Sequence, residues 1–298
     1  MKIKIPALSC LMVLASSYIT SAQDKALYDT LQKPQLISKQ FSFTEGPATD
    51  KKGNVFFTDQ PNNKIWKYDT DGKLSIFMEK AGRSNGMFFD KKGNLISGAD
   101  EQDQLWSIDK NGKETILVKD FGGHRLNGPN DVWVNRKTGG IYFTDPYYQR
   151  DYWDRKKTDL DGQKVYYLPK NGTLQIADDQ LKKPNGIVGT SDGKTLYVAD
   201  IQANKTYKYN INADGMLSEK QQIITQGSDG MTIDAEGNIY LTGKGVTIYN
   251  PEGKRIGHID IPEPWTANIC FGGKDRKLLF ITASTAVYTL RMNVKGVE

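Results

Sequence analysis

The chain has 298 residues, 38% of them hydrophobic, 10% aromatic and 25% charged. That composition excludes a polytopic membrane protein, a collagen-like repeat and wholesale disorder, and the length suits one large domain or two small ones. The net charge is +5, from 40 Lys+Arg against 35 Asp+Glu. Both signs are interleaved along the chain with no dense stripe of cations, so no nucleic-acid partner is expected.

Residues 1–22 read as a secretory signal peptide. Lys2 and Lys4 form a basic start, Leu8 to Ile19 is mostly apolar, and Thr20-Ser21-Ala22 offers a small-residue cleavage site. The competing reading is an N-terminal membrane anchor, for which the apolar run is short. Cleavage after Ala22 implies an exported protein, periplasmic or extracellular, with no membrane attachment. It also removes Cys10 and leaves Cys270 alone, so no intrachain disulfide forms and the core or a metal must supply the stability.

Residues 23–298 read as one domain built from an internal repeat. A glycine turn or its equivalent precedes an apolar strand six times, with strand starts at Val55, Leu95, Ile141, Leu196, Ile239 and Leu278. The spacings of 40, 46, 55, 43 and 39 residues match propeller blades, and no helical periodicity of useful length competes. A second strand follows in each unit: Lys64–Tyr68, Gln104–Ile108, Lys164–Leu168, Lys205–Tyr209, Val246–Tyr249 and Ala286–Arg291. Asp71-Gly72, Asn111-Gly112, Asn171-Gly172, Asp214-Gly215 and Glu252-Gly253 then turn the chain, and Asn-Gly or Asp-Gly provides the positive φ that tight hairpins need. With the strand before the first turn, each unit has four strands, A to D. The last unit stops after strand C near Met292, and the β-prone segment Gln35–Phe41 is expected to supply its strand D. The predicted fold is therefore all-β: a six-bladed β-propeller of four antiparallel strands per blade, closed by an N-terminal strand in the last blade.

The same alignment places an oxygen-bearing side chain at the start of every strand A: Glu45, Asn85, Asn130, Asn185, Asp229 and Asn268. They stand 10, 10, 11, 11, 10 and 10 residues before strand B. Strand A is innermost in a blade, so these six are expected to ring one mouth of the central channel. Oxygens without thiolate or imidazole suit a hard cation, calcium above all, with Glu45 and Asp229 balancing its charge. The plainer reading is that Asn and Asp before Gly are common turn residues; Glu45 fits that reading poorly. Asp69–Gly72 resembles the start of an EF-hand loop but lacks its later ligands and is read as a hairpin turn.

Arg125-Leu126-Asn127-Gly128-Pro129-Asn130-Asp131-Val132 followed by Ile141–Pro146, together with Glu45-Gly46-Pro47, Pro184-Asn185-Gly186 and Asp229–Asp234, resembles the SMP-30/gluconolactonase/LRE-like family, over roughly residues 36–290. The resemblance implies a divalent cation, commonly calcium, with Zn2+, Mg2+ or Mn2+ as alternatives. It places the ligands at Glu45, Asn130, Asn185 and Asp229. It also implies hydrolysis of small lactones, especially sugar lactones such as glucono-1,5-lactone, or of organophosphates in some members. Asn85 and Asn268 then support the ligands or face substrate.

For lactone opening, Asp229 is the first candidate to activate water and Glu45 the second. Strand direction puts loop 119–129 on the same face, so Arg125 and Asn127 are expected near the substrate; a surface salt bridge is the alternative for Arg125. The long loop 146–163 carries Tyr147, Tyr148, Tyr152 and Trp153, either as an aromatic wall for a sugar or as a self-packed cover on the neighbouring blade. A monomer or weak homo-oligomer is expected. A phosphotriesterase-type hydrolase and a non-enzymatic ligand-binding propeller with structural calcium remain alternatives.

Overall fold

A computed structural model describes residue 1 and residues 26–297. The signal peptide expected over residues 1–22 lies outside the described residues, apart from Met1. Twenty-four strands among the described residues form six antiparallel sheets of four. Strand A is Thr44–Thr49, Ser84–Phe89, Val132–Val134, Pro184–Gly189, Met231–Ile233 and Asn268–Gly272 in blades 1 to 6. Strand B is Val55–Asp59, Leu95–Ala99, Ile141–Asp145, Thr195–Asp200, Ile239–Gly243 and Leu278–Ala283.

Closure follows the expected route. Gln35–Ser38 pairs antiparallel with Ala286–Arg291, with Gln35 opposite Thr289 and Leu36 opposite Tyr288. The strand is shorter than Gln35–Phe41: its register shifts between Leu36 and Ser38, and beyond it the Phe41 N–H donates to the Thr285 carbonyl at 3.3 Å. The Phe41 ring is buried edge-on against Phe57 at 5.2 Å and Trp66 at 5.4 Å. Burying that aromatic ring anchors the closing segment to blade 1.

The inner strands are buried and the outer ones are not. Strands A and B of blades 1 to 3 are buried at every residue, whereas strand D of blade 1, Leu74–Glu79, is half exposed. Blade contacts are apolar and aromatic, as in Phe56 against Phe89 at 5.2 Å. They are supplemented by threonines near the end of strand B. Thr58, Thr144 and Thr242 each donate from Oγ1 to a carbonyl of the next blade, at Asn85 (3.3 Å), Asn185 (2.8 Å) and Ala267 (2.8 Å).

The recurring aspartate at the end of strand B holds the loop that enters strand A. Asp59 accepts from the Ser42 and Phe43 amides, Asp145 from Asn127 and Gly128, and Asp200 from Lys182 and Lys183. At the opposite face the C-terminal tail crosses the ring: Ala235 N–H donates to Lys295 (2.8 Å) and Gly296 N–H to Arg276 (2.9 Å). Val297 lies there beside Phe88, Trp133 and Thr190.

Candidate active site and metal centre

Six inner strands bring the predicted oxygen ring to one mouth of the channel. In blades 1, 2 and 4 the ladder between strands A and B breaks register at this point, between Glu45 and Ala48, Ser84 and Met87, and Pro184 and Ile187. Such bulges re-aim a side chain without ending the strand. In blades 3 and 5 strand A starts later than expected, so Asn130 and Asp229 stand in the loop just before it. Crowding at the axis explains the glycines that follow ring residues. A Cβ on Gly86 would meet Asp131 Oδ1 at 2.2 Å, and one on Gly230 would meet Asn268 Cγ at 1.9 Å.

The ring side chains are joined across blades. Asn268 Nδ2 donates to Glu45 Oε2 at 3.1 Å and to Asp131 Oδ1 at 2.9 Å. Asn185 Nδ2 donates to Asp229 Oδ1 at 2.7 Å and to the Tyr148 hydroxyl at 3.0 Å. Trp265 Nε1 donates to Asp229 Oδ2 at 2.6 Å. These bonds orient the amides: with Nδ2 engaged, the carbonyl oxygen of Asn185 is left free.

That oxygen belongs to a set. Oδ1 of Asn85, Asn130 and Asn185 are all buried without a hydrogen-bond partner. Buried carbonyl oxygens are nearly always paired, so three orphans at one mouth call for an acceptor-seeking guest. The carboxylates point the same way. Burial, then repulsion from Asp229, pushes Glu45 up to about 8. Burial, then the charges of Glu45 and Asp229, holds Asp131 well above the usual range. Burial pushes Asp229 up to about 6, against the pull of Trp265, Asn185 and Arg150. Like charges gathered out of water are costly until a cation joins them. Among the described residues no three His, Cys, Asp or Glu side chains form a metal site by themselves. Amide oxygens must therefore supply much of any coordination, which suits a hard cation.

Asp131 is the ring member that sequence reasoning missed. Aligned by repeat, it stands where blades 1, 2, 4 and 5 have glycine, and that exception was the available signal. Trp265 was also missed. It precedes the A strand of blade 6 and carries no repeat signature.

The expected substrate residues are placed differently. Asn127 is fully buried and clamps its loop, donating from Nδ2 to the carbonyls of Asp145 (3.1 Å) and Gly162 (3.0 Å). Its Nδ2 is thereby committed to the loop backbone. Arg125 pairs with Asp154 and Asp159, both at 2.9 Å, which ties loop 119–129 to loop 146–163. Tyr147 donates to Gln149 (2.6 Å) and lies against Trp153, so it is a loop-packing residue. Its neighbour Tyr148 is the aromatic that reaches the ring, under the cations of Lys183 (4.4 Å) and Arg150 (5.6 Å).

Loop 146–163 serves both readings offered for it. Tyr148 faces the ring, while the rest covers blade 2. Arg150 Nε reaches Asp100 at 2.8 Å, Trp153 Nε1 donates to the Asp100 carbonyl at 2.9 Å, and buried Arg155 pairs with Asp103 at 2.5 Å. Tyr152 bonds the same Asp100 carboxylate.

A family model described as SMP-30/Gluconolactonase/LRE-like region matches residues 43–285. The chain belongs to this family. It is 29% identical to the gluconolactonase of Zymomonas mobilis over 304 aligned positions, covering 91% of this chain and 84% of that one. A solved chain provisionally assigned as a gluconolactonase superposes with a TM-score of 0.84 at 31% identity, covering 91% of this chain and 96% of its own. The gluconolactonase of Xanthomonas campestris superposes with a TM-score of 0.81 at 25% identity, covering 89% and 97%.

Proposed function

We propose that this protein hydrolyses sugar lactones at the oxygen-lined mouth and uses calcium, held by Glu45, Asn130, Asn185 and Asp229 with Asn85 beside them. The observation that carries the reading is the orphaned amide oxygens facing buried carboxylates in a family member. The gluconolactonases it resembles support the substrate class. When bound, such a cation polarises the lactone carbonyl and stabilises the negative charge that develops on its oxygen.

The chain's own side chains do the rest. Asp229 stands half-buried at the mouth with both oxygens oriented by donors. It directs a water at the carbonyl carbon and takes its proton as the new C–O bond forms. Glu45 is a weaker choice for this step, since it is 3% exposed and accepts from Asn268 and from the Gly46 amide. The ring C–O bond then breaks, and the proton passes to the departing ring oxygen to give the open hydroxy acid. Tyr148 accepts from Asn185, so its own hydrogen is free for the substrate. Burial keeps that hydroxyl protonated. Trp265, 37% exposed, offers an indole face beside Asp229 for a sugar ring.

The same reading includes export of the mature chain, supported by the basic and apolar run before Ala22.

Glucono-1,5-lactone in a pH-stat tests the proposal. Purified protein should release acid, lose that activity in chelator and regain it with calcium. Calcium that raises the melting temperature with no lactone opened would leave a binding propeller instead.

A further inference from the structure

The far face of the ring carries a second feature, and it does not depend on the lactone reading. The turns between strands A and B emerge there. In blades 1, 2 and 3 they hold Lys51-Lys52, Lys91-Lys92 and Arg136-Lys137. These pairs are 40 and 45 residues apart in sequence and look scattered. The fold sets them side by side. Lys51 Nζ donates to the Lys91 carbonyl at 2.7 Å, and Arg136 Nη2 donates to the Phe89 carbonyl of blade 2 at 3.3 Å, with its guanidinium 5.1 Å from the Phe88 ring.

The acids of these turns are used internally. Asp50 and Asp90 accept from Asn54 and Asn94 through both carboxylate oxygens, and in blade 3 the equivalent position is the neutral Asn135. None of the six cations forms an ion pair among the described residues, whereas Lys39, Arg125, Arg150, Arg155 and Lys220 elsewhere do. Between blades 2 and 3 the arc borders a groove of about 390 Å³. Lys91, Lys92, Arg136, Lys137 and Lys170 line its rim, and Ile96, Val134, Ile141 and Leu168 line its depth.

We propose that this face binds an anionic polysaccharide built from uronate units. Carboxylates at regular intervals match an arc of unpaired cations, and the C–H faces of the sugars match the apolar depth of the groove. Two other polyanions fit less well. The groove lining holds no aromatic side chain on which a base could stack. No large apolar side chain exposed among the described residues lies on these turns, so a membrane would gain no insertion.

The probe is polygalacturonate, with neutral dextran, a DNA duplex and phosphatidylglycerol vesicles beside it, measured on the whole mature protein. Binding to polygalacturonate is expected to weaken about tenfold or more between about 20 and 200 mM salt, as counterion release requires. Lys92→Glu/Lys137→Glu/Lys170→Glu should lose about tenfold in affinity at low salt, with its melting temperature and any lactone turnover unchanged. Lys156→Glu/Lys157→Glu/Lys182→Glu, the same charge change on the other face, should stay close to wild type. If the first triple fails to fold, the single Lys92→Gln and Lys137→Gln variants carry the test, each expected to weaken binding measurably. No polygalacturonate binding at low salt overturns the proposal. So does an equal loss in both triples, or DNA or vesicles binding as tightly as the polyuronate.

Discussion

The two faces of this propeller treat charge in opposite ways. At one mouth Glu45, Asp131 and Asp229 are drawn together in a buried setting, where the charge of Asp229 raises the proton affinity of Glu45 and both raise that of Asp131. On the far face Lys51, Lys52, Lys91, Lys92 and Lys137 are exposed. Water screens these cations, so their gathering costs little. The lesson concerns where like charges need explaining. Exposed ones need no partner for the fold to stand, whereas buried ones require a counter-ion.

The contrast can be broken most sharply at Asp229. Asp229→Asn keeps the shape and the Trp265 contact but removes the base, and turnover of glucono-1,5-lactone should fall about 1,000-fold in the pH-stat while the circular dichroism spectrum is unchanged. Full activity in that variant would move the base elsewhere. Next is Arg155→Ala. It strands buried Asp103 and frees the carbonyls of Leu126 and Asn127, and thermal unfolding should show a loss of about 3 kcal/mol. A loss near zero would mean that loop 146–163 is held by its aromatics alone.

A smaller effect is expected at Tyr148. Tyr148→Phe deletes one hydroxyl beside Asn185, and kcat should fall about tenfold with the fold intact. An equal fall for Tyr147→Phe would contradict the placement of these two neighbours.

The smallest effect comes from pH. Asp100, Asp103 and Asp145 stand near three guanidinium groups, Arg125, Arg150 and Arg155. Burial pushes Asp103 and Asp145 up to about 7, against the pull of Arg155. A carboxyl raised above its unfolded value binds its proton more tightly in the folded state. That stabilisation is complete below about pH 4 and is lost as pH rises through about 7. The melting temperature should therefore drop by a few degrees over that window, and Asp103→Asn should flatten the slope. A slope of opposite sign would show that the arginines keep these acids ionised throughout.

Much of the fold was legible because a propeller repeats its turns. The strands Val55–Asp59, Lys64–Tyr68, Gln104–Ile108 and Lys164–Leu168 lie where glycine turns and apolar runs placed them. The ring positions were legible for the same reason, since each stands ten or eleven residues before strand B. Arg125 and Asn127 show the limit. Chain direction put their loop on the correct face. Whether a side chain on it meets substrate or a neighbouring loop depends on Asp154, Asp159 and Gly162, which lie far along the chain.

The order of residues by itself determined the six blades, the closing strand and the oxygen-bearing positions, because turn chemistry and strand alternation act over a few neighbours. Only the tertiary structure decided that Asp131 joins the ring, that Tyr148 rather than Tyr147 faces it, and that lysine pairs from separate repeats share one surface. Those outcomes depend on distances between blades, and such distances exist only once the ring has closed.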